Sequence, residues 1–156
     1  MKYKSETREQ LKELVDNFDI NLGDIDTSLI TDMSMLFAST DRIDFSGIEN
    51  WNVSSVEDMK LMFHRARDFN SDISNWNVSR VKNFCGMFGE AICFNKPLNN
   101  WNTSRAENMS GMFEGASNFN QSLDDWDVSS VKYMEGMFYG AESFNQDLSD
   151  WNISNI

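Results

Sequence analysis

Read as apolar and polar positions, the chain repeats itself. Tryptophans stand at 51, 76, 101, 126 and 151, and between them the pattern W-N-V-S-x-V-x-x-M-x-x-M-F-x-x-A-x-x-F-N-x-x-L-x-x recurs every 25 residues. A fixed period of this length marks units that stack to bury a shared core. Numbered from its Trp, each unit places apolar residues at positions 6, 9, 12, 13 and 16, such as Val56, Met59, Met62, Phe63 and Ala66, which is helical spacing. Ser at position 4 stands where an N-cap belongs, and Ser54-x-x-Glu57 and Ser104-x-x-Glu107 read as capping boxes. Positions 1 and 3 are a Trp and a β-branched residue around an Asn, the alternation of a very short strand. The pattern predicts an α/β repeat solenoid, a right-handed stack with one short parallel strand and one short helix per 25 residues. Strands are expected to start near residues 25, 51, 76, 101, 126 and 151, with helices beginning after Ser28, Ser54, Ser79, Ser104 and Ser129.

The pattern reaches back before the first Trp. Residues 25–37 align with 51–63, with Ile25 in the Trp place and a rewritten loop, STDRIDFSGIEN, between them. Further upstream, Thr7 and Gln10 form a possible capping box, and Leu11, Leu14, Val15 and Phe18 make an apolar stripe. That predicts an N-terminal capping helix within residues 1–22, five repeats over 23–150, and the start of a sixth at 151–156, all in one domain. The sequence stops as a new unit begins, so its last strand is expected to present unpaired backbone beside a partly bare Trp151. The expectation there is a homodimer joined two-fold through this C-terminal edge strand, or a truncation of a longer chain.

The blocks FNQDLSDWNIS, ITDMSMLF and SSVKYMEGMF resemble the BspA-type leucine-rich-repeat bacterial surface proteins, over roughly residues 20–156. The spacing Leu148-x-x-Trp151-x-Ile153 is similar to the strand of ordinary leucine-rich repeats. The resemblance implies a leucine-rich-repeat-like solenoid used for adhesion or protein binding, often at a cell surface.

Composition narrows the partners. A formal net charge of -12 repels nucleic-acid backbones and anionic lipid and leaves a protein, above all a cationic one, as the expected partner. No apolar run approaches the roughly 20 residues that cross a bilayer, so membrane insertion is not expected. The N-terminus MKYKSETREQLKELV has no apolar h-region, which reads as cytoplasmic, against the surface location that the resemblance implies. Cys85 and Cys93 lie in one unit and have no metal-ligand spacing.

Candidate chemistry is sparse. The stripe Met59, Met62, Met109, Met112, Met134, Met137 reads as core rather than a copper site. The Asn at position 20 (Asn70, Asn95, Asn120, Asn145) is expected to bond loop backbone. The Asn-x-Ser/Thr triplets are by-products of the repeat. His64 occupies a variable position expected to be exposed, and no catalytic constellation, phosphate loop or zinc spacing appears, so an enzyme is not expected. With Trp and Val turned inward, positions 25 and 2 turn outward. The candidate binding residues on that sheet face are Asn75, Asn77, Asn100, Asn102, Asp125, Asp127, Asp150 and Asn152, amide-rich first and carboxylate-rich toward the C-terminus. Carboxylates on adjacent strands could also hold Ca²⁺, but the face is read as a protein-binding one, with no cofactor or metal. The reading is a non-enzymatic binding or adhesion module, with an end-to-end structural unit as the alternative.

Overall fold

In the computed structural model, which describes residues 1–156, most of the chain follows turns that belong to neither helix nor sheet. The single α-helix, α1, spans Arg8–Asp16. Thr7 Oγ1 accepts from the Gln10 N–H at 3.2 Å, and Gln10 Oε1 accepts from the Glu6 N–H at 2.9 Å, so the predicted cap forms with its return bond one residue early. Two short strands, β1 (Tyr3–Lys4) and β2 (Ile25–Asp26), pair in parallel as one small sheet. Leu11 and Val15 are buried under α1, whereas Phe18 lies outside the stripe, half exposed, with the Arg42 guanidinium over its ring.

The α/β leucine-rich-repeat-like solenoid is therefore not the fold. No helix follows Ser28, Ser54, Ser79, Ser104 or Ser129, and no strand runs through any Trp-x-Val segment. Where a helix is expected from just after position 4 through position 16, positions 9–16 form a run of tight turns. In the unit from Trp51, backbone N–H groups of Met62, His64 and Ala66 donate to the carbonyls of Met59, Leu61 and Phe63, each three residues back. Positions 11 and 15 are left-handed: Leu61 and Arg65, then Gly86 and Glu90, Gly111 and Gly115, Gly136 and Gly140. A left-handed residue at the third place of a turn reverses the chain every few residues and still returns apolar side chains to one side. That is how helical spacing arises without a helix.

The 25-residue units stack nonetheless, through these turns. Met59, Leu61, Phe63 and Arg65 donate their N–H groups to the carbonyls of Asn83, Cys85, Met87 and Gly89 in the next unit at 2.8–2.9 Å. The same four positions repeat the pattern from Met33 through Gly115. Bonds to the position-7 carbonyl run the other way, from the N–H of Lys82 to Glu57 and from the N–H groups of Lys132 and Tyr133 to Glu107. Every backbone bond between residues about one repeat apart in these units lies at positions 7–15.

Aromatic side chains fill the rest. Phe63, Phe88, Phe113 and Phe138 stack with centroids 5.5–5.8 Å apart. Each also stacks on the second Phe of its own unit, at 3.8–4.3 Å. Trp101, Trp126 and Trp151 follow one another at 6.3–6.4 Å. Each indole N–H finds a carbonyl about one unit back, as Trp126 does on Leu98 at 2.8 Å, so the buried ring leaves no donor unpaired. Of the predicted core methionines, Met59, Met62, Met109, Met112 and Met137 are buried, and Met134 is only partly buried.

The rewritten loop supplies a feature the pattern hides. Arg42 is 3% exposed, and its guanidinium donates to the carbonyls of Val15, Asn17, Ile20 and Asp44. It satisfies the open end of α1 and ties the helix to the first unit.

Candidate functional site

All eight predicted site residues, Asn75, Asn77, Asn100, Asn102, Asp125, Asp127, Asp150 and Asn152, are exposed and recur in register on successive units. They do not lie on a sheet. Their side of the stack has no backbone ladder and is held by stacked Trp rings and side-chain bonds.

The two rows differ in chemistry. At position 2, Oδ1 of Asn77, Asn102, Asp127 and Asn152 accepts the backbone N–H of the Ser two residues on, at 3.0–3.2 Å. This local turn takes the place of the expected capping boxes. It fixes each side chain and leaves its second polar atom unpaired. The Ser129 hydroxyl and N–H hold the Asp127 carboxyl below its usual pKa. At position 25, the side chains of Asn75, Asn100 and Asp150 make no hydrogen bond, whereas Asp125 Oδ2 accepts from Asn99 Nδ2 at 3.1 Å.

The asparagines at position 20 bond backbone, as expected, but in the neighbouring unit and at the surface. The N–H of Asn95, Asn120 and Asn145 donates to Oδ1 of Asn70, Asn95 and Asn120 at 2.9–3.0 Å. This ladder ties successive units together.

One surface went unseen in the sequence. Across the turn ladder runs an open groove of about 330 Å³, lined by Leu61, His64, Cys85, Glu90, Ser110 and Glu114 among others. Its floor is low because Gly86, Gly89 and Gly111 carry no side chain. The available signal was the change of residue type at position 10 (Lys60, Cys85, Ser110, Glu135) and at position 14 (His64, Gly89, Glu114, Tyr139). His64 is half buried rather than exposed, because Gly89 leaves room for it: a Cβ there would meet Nδ1 at 2.7 Å. Nδ1 itself is buried without a partner.

The groove holds a histidine, a thiol and a hydroxyl, yet no hydrogen bond joins them. Ser110 Oγ donates to Glu135 Oε2 at 2.7 Å, and Arg65 Nε donates to Glu90 Oε2 at 2.6 Å. These bonds hold both carboxyls below their usual pKa. The Ser110 hydroxyl is thus bonded to a carboxylate, and neither it nor the Cys85 thiol is paired with His64. Cys85 and Cys93 are free, and no group of three His, Cys, Asp or Glu is arranged to hold a metal ion. No helix is long and apolar enough to cross a membrane.

A family sequence model matches residues 7–115 and again residues 86–156. The chain belongs to the family described as Mycoplasma protein of unknown function, DUF285. The two placements overlap over residues 86–115. No curated protein and no solved structure matches the chain.

Proposed function

We propose that this chain is a non-enzymatic binding module that holds a protein partner carrying basic side chains against the row from Asn75 to Asn152. The observation that carries the reading is the state of the position-2 side chains: exposed, one per unit, and each pinned by its Ser N–H. A side chain fixed before binding avoids an ordering cost of about 0.5–1.5 kcal/mol each. The carboxylates of Asp125, Asp127 and Asp150 and the net charge of -12 favour a cationic partner. The resemblance to BspA-type surface proteins points to the same kind of role.

The test is selection of a displayed random-peptide library on the wild-type chain. Enriched peptides should be rich in Lys and Arg, bind Asp125→Lys/Asp127→Lys much more weakly, and bind the groove variant Glu114→Lys/Glu135→Lys unchanged. Peptides that lose binding only on the groove variant would move the site to the groove and overturn the row.

A further inference from the structure

The row from Asn75 to Asp127 offers donors in one half and acceptors in the other. Asn77 and Asn102 engage Oδ1 with the N–H of Ser79 and Ser104, so the polar atom each leaves to solvent is Nδ2, a donor only. Asp127 engages Oδ1 with Ser129 in the same way, and the oxygen it leaves is a carboxylate acceptor. Position 5, the residue after that Ser, repeats the division. It is Arg80 and Arg105 in the amide units and Ser130 in the carboxylate unit, and both arginines are exposed with no hydrogen bond or ion pair. Asp125 adds a second carboxylate to the segment of Asp127, and Asp124 shares the Asn99 amide with it. Residues 75–80 and 100–105 each carry a formal charge of +1 from their Arg, and residues 125–130 carry -2 from Asp125 and Asp127. The charges at position 7 leave this order intact, because Lys82 pairs with Glu57 and Lys132 with Glu107, both at 3.6 Å.

We infer that the protein partner lies along this row as an extended segment whose alternate side chains follow a fixed charge order: carboxylates over Asn77 and Asn102, then a basic group over Asp127. This order rests on the row being the binding surface, and it confines the partner's basic side chains to the carboxylate half. The spacing suits a strand. The Trp rings that the row flanks are 6.3–6.5 Å apart in successive units, and every second side chain of an extended chain is about 6.4–6.8 Å from the last. A carboxylate accepts from the Asn Nδ2 and from the Arg of the same turn, whereas a lysine there meets donors only. The net charge of -12 attracts any cation from a distance. At about 0.15 M salt the screening length is about 8 Å, so the side chains in contact decide the order.

The probes are synthetic peptides with blocked ends, titrated at that salt: Glu-Thr-Glu-Thr-Lys, its isomer Glu-Thr-Lys-Thr-Glu, and Lys-Thr-Lys-Thr-Lys. Binding to the full chain is followed by NMR from the amides of Asn77, Asn102 and Asp127. The isomer has the same net charge but cannot meet all three positions in either chain direction. The first peptide should bind about fivefold more tightly than the isomer or the all-lysine peptide, the size of one or two surface ion pairs. Arg80→Glu/Arg105→Glu should weaken the first peptide about tenfold and strengthen the all-lysine one. If the isomers bind alike, or the all-lysine peptide binds wild type best, the row stands as the binding surface and the charge order is overturned. If no peptide moves these amides, or Asp125→Lys/Asp127→Lys leaves every affinity unchanged, both fall.

Discussion

Replacing Gly111 by alanine distinguishes by sign between a helix and a run of turns at positions 9–16. In a helix interior, alanine is favoured over glycine by about 0.8–1.0 kcal/mol, so a helix would gain stability. Gly111 has φ +60°, where an L side chain costs about 1–2 kcal/mol. The nearest atom a new Cβ would meet is Glu114 Oε2 at 3.1 Å, the tip of an exposed, flexible side chain, so steric conflict adds little. The expected loss is therefore about 1–2 kcal/mol. With a urea slope of about 2 kcal/mol/M, the midpoint should fall by about 0.5–1 M, where a helix would raise it by about 0.5 M. Equilibrium urea unfolding read by Trp fluorescence and by far-UV circular dichroism measures this, and coincident transitions justify the two-state treatment. Gly136→Ala should share the sign, because φ is +65° and the new Cβ meets only Tyr139 Cβ, at 3.9 Å. A midpoint that rises for Gly111→Ala would refute the turn backbone.

Two further outcomes follow from the packing and the charges. Phe113, fully buried among Phe88, Phe119, Trp126 and Phe138, should cost about 3–5 kcal/mol as Phe113→Ala, and a urea midpoint shift under about 0.5 M would contradict its place in the core. The Asp127 carboxyl has its pKa lowered by Ser129, so its contribution is complete above the ordinary carboxyl pKa of about 3.9 and is lost as pH falls through the lower folded value. Asp127→Asn keeps an acceptor for the Ser129 N–H but cannot titrate. Its drop in urea midpoint between pH 6 and pH 3 should be smaller than wild type's, and an equal drop would show that this carboxylate is not linked to folding.

The period, the aromatic core and the N-terminal helix could be read in the sequence because each rests on which side chains are buried. Stacking demands the same apolar residues every 25 positions whatever path the backbone takes between them. The path was another matter, because apolar residues at 9, 12, 13 and 16 suit both a helix and three-residue turns. The discriminating residues were present: Gly86, Gly111 and Gly136 at position 11, and Gly115 and Gly140 at position 15. A helix would pay about 1 kcal/mol for each, and a periodic chain has no reason to repeat that cost. Leu61, Arg65 and Glu90 hide the signal by holding left-handed φ without being glycine.

The groove was hidden for the same reason, since it lies over the ladder, and the sequence placed the ladder on the Trp side. The backbone that defeated the helix reading also sets the polarity of the ends. An ordinary strand edge offers N–H and C=O together, so it can pair two-fold with a copy of itself. A chain that turns at positions 11 and 15 sends its free N–H groups to one side and the alternate carbonyls to the other. The glycine rows and the one-sided ladder are thus one property seen at two scales. If Gly111→Ala stabilised the chain, the turns would be wrong, and the one-sided ladder between units would have no physical basis.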